Sequence, residues 1–323
     1  MSLRTRLSSL ARYDALVLAS LIWFLAKFLR YAFPPLFGTL QDTYGVSNTV
    51  LGTAFTGFML VYAAMQFPSG VLADRLGSVR VIVAGALVAS ATALALFVPA
   101  PFAVLVVGML LVGFGTGMHK TVSVGLLSRA YSNRPGRALG VFDTIGGFGG
   151  AVAPVVIVAF AAFGWRSVFL VGGLAGVVLA VLFAYQVPRR LPESTHATAE
   201  ADPDADLRSY LAMFGDRRFT AFVLVTILVS FAFNGVVAFL PLYLTDYAGL
   251  TPAFASAVYG AMFAVTLVQP VTGELSDRIG QLPIIGVTVV LATAGLGGLL
   301  FLSGPYALAA SVLVVLYAGF QSL

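Results

Sequence analysis

Long apolar stretches recur along the whole of this 323-residue chain, and they restrict its fold more than any other feature. A helix needs about 20 mostly apolar residues to cross a bilayer, because every backbone polar group must be hydrogen-bonded within the segment. Hydrophobic residues make up 59% of the chain and charged residues only 10%, whereas a soluble domain carries about 25% charged residues. The sequence therefore predicts an all-α membrane protein.

Ten stretches are long and apolar enough to be membrane-spanning helices, and they are numbered here as segments one to ten. The segments run from Ala15 to Phe37, Val50 to Leu72, Val79 to Val98, Phe102 to Leu127, Leu139 to Phe160, Val168 to Val187, Phe219 to Leu244, Ala253 to Leu275, Leu282 to Phe301 and Tyr306 to Leu323.

The lysines and arginines indicate the orientation of the chain, since short cytoplasmic loops hold most of these residues in membrane proteins. A cytoplasmic N-terminus places 14 of the 18 in predicted cytoplasmic loops. We therefore expect a multi-pass protein of the cell (plasma) membrane with its N-terminus in the cytoplasm. Because the basic residues lie between apolar segments, the net charge of +5 does not indicate a nucleic-acid partner.

A polar and acidic stretch from Pro188 to Arg218 interrupts the apolar pattern. Such a composition is typical of a solvated linker. The predicted organisation is thus a six-helix N-terminal half over residues 1–187, a cytoplasmic linker over 188–218, and a C-terminal half of about four helices over 219–323.

The two halves contain an internal repeat at an ungapped offset of 203 positions. Repeats of this kind are the expected signature of transporter halves that move about a shared site near the middle of the membrane. The matched pairs are Gly70 with Gly273, Asp74 with Asp277, Arg75 with Arg278, Gly77 with Gly280, Tyr44 with Tyr247, Gly57 with Gly260, Met59 with Met262 and Gln66 with Gln269.

The run Gly70-Val-Leu-Ala-Asp74-Arg75-Leu-Gly77 resembles the loop between helices two and three of the major facilitator superfamily, a large group of secondary transporters. Its copy, Gly273-Glu-Leu-Ser-Asp277-Arg278-Ile-Gly280, resembles the equivalent loop between helices eight and nine. The sequences Arg137-Ala-Leu-Gly140 and Gly164-Trp165-Arg166 are also similar to that family. A weaker similarity to its fosmidomycin-resistance branch rests on Gly117-Met-His119-Lys120 and Gly146-Gly147-Phe-Gly149.

The resemblance implies two pseudo-symmetric six-helix halves, a monomer without a cofactor, and a truncation after about ten helices that leaves the second half incomplete. An exposed apolar groove is then expected where two further helices would pack. The resemblance also implies that the Asp of each loop steadies one access state by facing a helix N-terminus of the opposite half. Asp277 could reach segment five in this way, whereas Asp74 would need an eleventh helix, beyond the ten predicted segments. The alternative is that Arg75 and Arg278 only anchor the loops on the cytoplasmic side.

Five ionisable residues lie within predicted segments, where charge is expensive and usually functional. Three permanent cations face one carboxylate, so an anionic group would offset a surplus of positive charge. Arg30 is the expected bidentate ligand, and Asp143 is the expected proton-coupling residue. In the alternative interpretation, the lysines extend to the headgroups, Arg30 pairs with Asp143 and His119 is a packed residue. The five are Lys27, Arg30, His119, Lys120 and Asp143.

The function predicted is secondary active transport of a small solute by alternating access, coupled to protons, with an anionic or amphipathic substrate. A multidrug efflux antiporter of the same superfamily is one alternative, because segments four and five match the family's coupling patterns only in part. A receptor or scaffold without transport is another. An enzyme is not expected: cysteine is absent, and Tyr13-Asp14 lacks the second motif of an intramembrane aspartyl protease.

Overall fold

The computed structural model describes residues 14–132, 135–190, 213–264, 281–301 and Gly304. Within these ranges the regular structure is entirely helical, and seven stretches are long and apolar enough to cross a membrane. These seven correspond in order to segments one to seven, which confirms the predicted all-α membrane fold. Segment ten, and with it the expected groove, lies outside the described residues.

The helices follow the chain with short connections, and two of the spans are each built from two helices. The first span joins α1 and α2 through a 3₁₀ turn at Pro34–Leu36, and the fourth joins α5 and α6 through a turn at Met118 and His119. The bounds are α1 Asp14–Tyr31, α2 Phe37–Tyr44, α3 Asn48–Leu76, α4 Ser78–Phe97, α5 Phe102–Gly117, α6 Lys120–Ala130, α7 Pro135–Ala159, α8 Arg166–Arg190, α9 Arg217–Leu242, α10 Pro252–Ala264 and α11 Gln281–Phe301.

The chain divides into two compact units, residues 1–199 and 200–323. In the first unit α1 is the central helix, because 13 of its 18 residues are buried. It packs against α7 on one side and α8 on another, while α5 packs against α3 and α4. A helix that is apolar and buried on nearly all sides belongs in the interior of a bundle.

Glycines allow α1 and α7 to approach closely. A Cβ atom added to Gly146 would overlap the ring of Trp23, and one added to Gly149 would overlap the backbone of Phe24. Small residues at helix contacts are the usual means of close packing in membranes, where van der Waals contact replaces the hydrophobic effect. The glycine-rich run in α7 therefore fixes how near the two helices lie.

The outer surface of the first unit is apolar, as contact with lipid requires. On α8, four large aliphatic side chains are exposed at spacings of three and four residues, which places them on one face of the helix. No charged residue lies between Ser167 and Pro188. These four are Val171, Leu174, Val178 and Val181.

The second unit contains α9, a π-helical turn at Tyr243–Tyr247, α10 and α11. Asp216 caps α9, since its side chain accepts a hydrogen bond of 2.8 Å from the backbone N–H of Arg218. The turn before α10 contains Gly249 at a φ of +66°, a conformation that glycine adopts without steric cost. The offset of 203 positions pairs residues 43–80 with 246–283, and we expect the two ranges to superpose. The second range includes residues 265–280, which lie outside the described ranges, so the repeat remains a prediction.

Candidate functional site

Three cationic side chains surround one tryptophan in the first unit. The Nζ atoms of Lys27 and Lys120 lie 5.2 and 5.0 Å from the ring centroid of Trp23, and the Cζ atom of Arg30 lies 5.4 Å from it. These distances fall within the range of cation–π attraction. We call Lys27, Arg30 and Lys120 the cation cluster. It combines residues of α1 and α6 that are about 90 positions apart in sequence.

Asp143 on α7 is the carboxylate that faces the cation cluster. It forms an ion pair with Lys120, and its Oδ1 also accepts a hydrogen bond of 3.2 Å from the indole Nε1 of Trp23. The side chains of Lys120 and Asp143 are 25% and 40% exposed, so the pair is partly open. The alternative in which Arg30 pairs with Asp143 does not match this arrangement, because Lys120 occupies that position.

Arg30 is almost completely buried, with 3% of its surface exposed. Its Cζ atom lies 3.6 Å from the ring centroid of Tyr62, which stacks beneath the guanidinium. The Nε and Nη2 atoms have no hydrogen-bond partner among the described residues. Tyr62 is 14 residues from either end of α3, so the guanidinium lies near the middle of the membrane-spanning part of the bundle.

His119 is buried at the turn between α5 and α6 and packs below Trp23. Its Nε2 lies 3.1 Å from the carbonyl oxygen of Ala19, and its Nδ1 lies 3.2 Å from the hydroxyl of Ser123. A carbonyl only accepts, so Nε2 donates and Nδ1 is left to accept from the serine. Both ring nitrogens are thus satisfied in the neutral form. This geometry favours a packing role, and substrate binding by His119 stays a prediction.

The first copy of the loop motif joins α3 to α4. Gly77 has a φ of +90° and ends α3, so the chain turns at the glycine. The adjoining Ser78 hydroxyl accepts a hydrogen bond of 2.9 Å from Nη2 of Arg129 at the end of α6. Asp74 is half-buried and Arg75 is exposed. This end of the bundle is therefore held together by an arginine that the motif does not contain.

The remaining motif residues are less informative. A Cβ atom at Gly70 would meet no described atom within 4 Å, so Gly70 is not tightly packed within the described part of the chain. The second copy lies outside the described residues, and its role stays a prediction. That copy comprises Gly273, Asp277, Arg278 and Gly280.

Sequence reasoning missed the aromatic residues that organise the cluster. Trp23, Lys27 and Arg30 are spaced at i, i+4 and i+7, which places them on one face of α1. That spacing was a usable signal for Trp23. Nothing comparable in the sequence indicates Tyr62, because its contact with Arg30 depends on how α3 is rotated toward α1.

Metal binding has no support in the part of the chain described. No group of three or more His, Asp or Glu residues lies close enough there to hold an ion. The chemistry available at the cluster is therefore that of fixed positive charge, aromatic faces and one partly exposed carboxylate.

A helical bundle that spans a membrane, with ionisable residues held at its centre, is typical of polytopic transport proteins. The sequence profile of the Major Facilitator Superfamily matches residues 19–323, and the chain belongs to this family. This match confirms the resemblance to the family seen in the loop motif. The family and the relatives described below are transporters and not enzymes.

Three curated relatives are similar to parts of the chain. A probable sulfoacetate transporter of Cupriavidus necator is 28% identical over 54% of this chain and 41% of its own length. A riboflavin transporter of Clostridioides difficile is 22% identical over 82% of this chain and 68% of its own. A 3-(3-hydroxy-phenyl)propionate transporter of Escherichia coli is 28% identical over 71% and 55%. The alignment thus covers less than half of the sulfoacetate transporter.

Solved structures support the fold. A bacterial homologue of the human lysosomal transporter Spinster, in an inward-facing and unoccupied conformation, superposes with a TM-score of 0.77 at 19% identity. The match covers 96% of this chain and 74% of that one. At this level of identity the similarity concerns the fold alone.

Proposed function

We propose that this protein is a proton-coupled secondary transporter of a small organic anion, with the cation cluster as its substrate-binding site. The observation that carries the proposal is the charge balance around Trp23. Three cations lie near one ring, and Asp143 is the one carboxylate that pairs with any of them among the described residues.

Uncompensated charge in the interior of a membrane bundle is costly and is retained where it has a function. Lys27 and Arg30 have no acidic partner within the described ranges. Cation–π contacts attract a cation without neutralising it, because an aromatic ring has no net charge. An anion that enters between these side chains would gain two strong charge-assisted contacts.

The names of the relatives give independent but limited support. Sulfoacetate and hydroxyphenylpropionate are organic anions, whereas riboflavin is a larger and predominantly uncharged molecule. Each is the printed substrate of that relative alone. The charge arrangement around Trp23 therefore supports the anionic class for this chain.

Asp143 is the proposed proton-coupling residue. Lys120 from α6 pairs with it, and Lys27 from α1 interacts with it electrostatically. The nearby His119 packs against Trp23 and Phe142. Protonation of Asp143 would remove the charge that holds Lys120 and release the lysine toward a substrate. Transport of substrate and proton would then be coupled, because the substrate and Asp143 compete for Lys120. Alternating access would be carried out by the monomer.

Two other functions remain as alternatives. A multidrug efflux antiporter would use the aromatic faces of Trp23, Phe142 and Tyr62 for amphipathic cations or neutral drugs. A receptor or scaffold would bind without moving its ligand. We propose the cell membrane, with a cytoplasmic N-terminus, as the location for all three.

Transport into proteoliposomes tests the proposal. The chain is reconstituted, a panel of radiolabelled organic anions and cationic dyes is offered, and uptake is compared with and without an inwardly directed proton gradient. Saturable anion uptake that the gradient increases supports the proposal. Uptake of dyes alone supports efflux of drugs, and binding without flux supports the receptor.

A further inference from the structure

We propose that the site takes a small dianion, such as a short dicarboxylate or sulfocarboxylate, and binds its two anionic groups separately. One group lies on the free edge of Arg30, and the other lies between Lys27 and Lys120. This inference rests on the proposed anion transport and narrows it to a substrate class.

The first half of the site is the guanidinium of Arg30. Its Nε–H and Nη2–H bonds lie side by side on one edge and point in the same direction. Both atoms lack a partner among the described residues, although the side chain is 3% exposed. Buried polar groups are normally hydrogen-bonded, and two parallel donors match the two oxygens of a carboxylate or sulfonate.

Tyr62 holds this edge in place. The guanidinium stacks on the tyrosine ring with Cζ 3.6 Å from the centroid, so its plane is fixed while its edge stays free. A stacked guanidinium is pre-organised and loses little conformational entropy when it binds. Arg30 therefore binds two oxygens of one carboxylate or sulfonate in one orientation.

The second half of the site is the pair of lysines. Lys27 is half-buried, and the side chain of Lys120 is 25% exposed. Arg30 Cζ and the two Nζ atoms all lie within 5.4 Å of the Trp23 centroid. No two of these charges can be farther apart than about twice that distance. A short molecule with two anionic groups can contact both ends.

The charge count distinguishes a dianion from a monoanion. With Asp143 ionised and both lysines protonated, the cation cluster and Asp143 together carry two positive charges without compensation among the described residues. A monoanion would leave one of them in a low-dielectric interior, whereas a dianion would leave none. The dianion is therefore the better match.

A binding titration with one tryptophan as reporter tests the inference. The chain has two tryptophans, and Trp165→Phe leaves Trp23, at the centre of the cluster, as the sole fluorophore. The protein in lipid nanodiscs is titrated at pH 7 with succinate and sulfoacetate, and with butyrate and acetate as matched monoanions. The melting temperature with each anion is a second readout, since a ligand that binds the folded state raises it.

We expect each dianion to bind about tenfold or more tightly than its matched monoanion. Lys27→Gln removes one charge of the lysine pair and should reduce this preference to about twofold, since the single uncompensated charge that remains matches a monoanion. Arg189→Gln is the matched control, because Arg189 is exposed and stacks on Tyr185 outside the cluster. It should keep the full preference.

The outcomes distinguish failure of the dianion inference from failure of the proposed anion transport. Equal binding of succinate and butyrate, or a preference that Lys27→Gln leaves intact, overturns the dianion inference and leaves anion transport standing. Absence of any response to all four anions, in fluorescence and in melting temperature, overturns both.

Discussion

The indole Nε1 of Trp23 donates a hydrogen bond of 3.2 Å to Oδ1 of Asp143, the same oxygen that contacts Lys120. One carboxylate oxygen thus links α1, α6 and α7. Because Trp23 also touches all three cations, a change in the charge of Asp143 alters the centre of the cluster directly.

Asp143→Asn should abolish accumulation driven by a pH gradient while substrate exchange across the membrane continues. The amide keeps an oxygen that can accept from Trp23 and Lys120, so the geometry is retained, but it cannot bind and release a proton. In proteoliposomes with an imposed proton gradient, the accumulation ratio of the substrate should fall to unity. Asp42→Asn, an exposed change on α2, should behave as wild type. Gradient-driven accumulation by Asp143→Asn would assign the coupling to another residue.

Arg30→Lys should weaken anion binding by about tenfold with folding intact, because the positive charge remains but the two parallel donors are lost. The dissociation constant from Trp23 fluorescence measures this effect. Arg80→Lys provides the control, since Arg80 is exposed and contacts only the carbonyl of Leu76 among the bonds described. Unchanged affinity in Arg30→Lys would mean that the guanidinium edge does not bind the substrate.

Gly146→Ala should destabilise the protein by about 1–3 kcal/mol, the usual cost of overpacking a tight contact. The new methyl group would overlap Trp23, and it would push α7 away from α1. Thermal unfolding in one detergent measures the difference. Gly140→Ala on the same helix has no described atom within 4 Å of its Cβ, so we expect it to be neutral or to stabilise by up to about 1 kcal/mol. Similar effects of both variants would contradict the close approach.

Gly77→Ala should also destabilise, by about 1–3 kcal/mol, because alanine is strained at a φ of +90°. Gly70→Ala, seven residues earlier within α3, meets no described atom within 4 Å and should be tolerated. Melting temperatures of the two variants, measured side by side, check the difference. A tolerated Gly77→Ala would show that the turn between α3 and α4 can relax into another conformation.

Much of the architecture was accessible from the sequence, because each membrane span must be long, apolar and helical. Segments one to seven appear as spans. The ionisable residues predicted within segments one, four and five lie within those spans. Helix ends were less accessible: α8 continues to Arg190, past the predicted end at Val187. The first three residues of the predicted linker thus extend the helix, since arginines at a helix C-terminus are favourable.

The partners of the charges could not be predicted. Helical periodicity shows which residues of one helix share a face, but it does not give the rotation of that helix relative to its neighbours. Lys120, and not Arg30, therefore emerged as the partner of Asp143 only from the packed bundle. The break in the fourth span at His119 could not be predicted either. It sets the direction of α6, which begins at Lys120.

The cation cluster, Tyr62 and Asp143 belong to one compact unit, on α1, α3, α6 and α7. If that unit moves as a body during transport, Arg30, Tyr62 and the lysines keep their mutual distances throughout the cycle. Affinity for the bound ion would then stay the same on both faces of the membrane unless a proton or the other unit changes it. The protonation state of Asp143 would thus supply the asymmetry that makes transport directional.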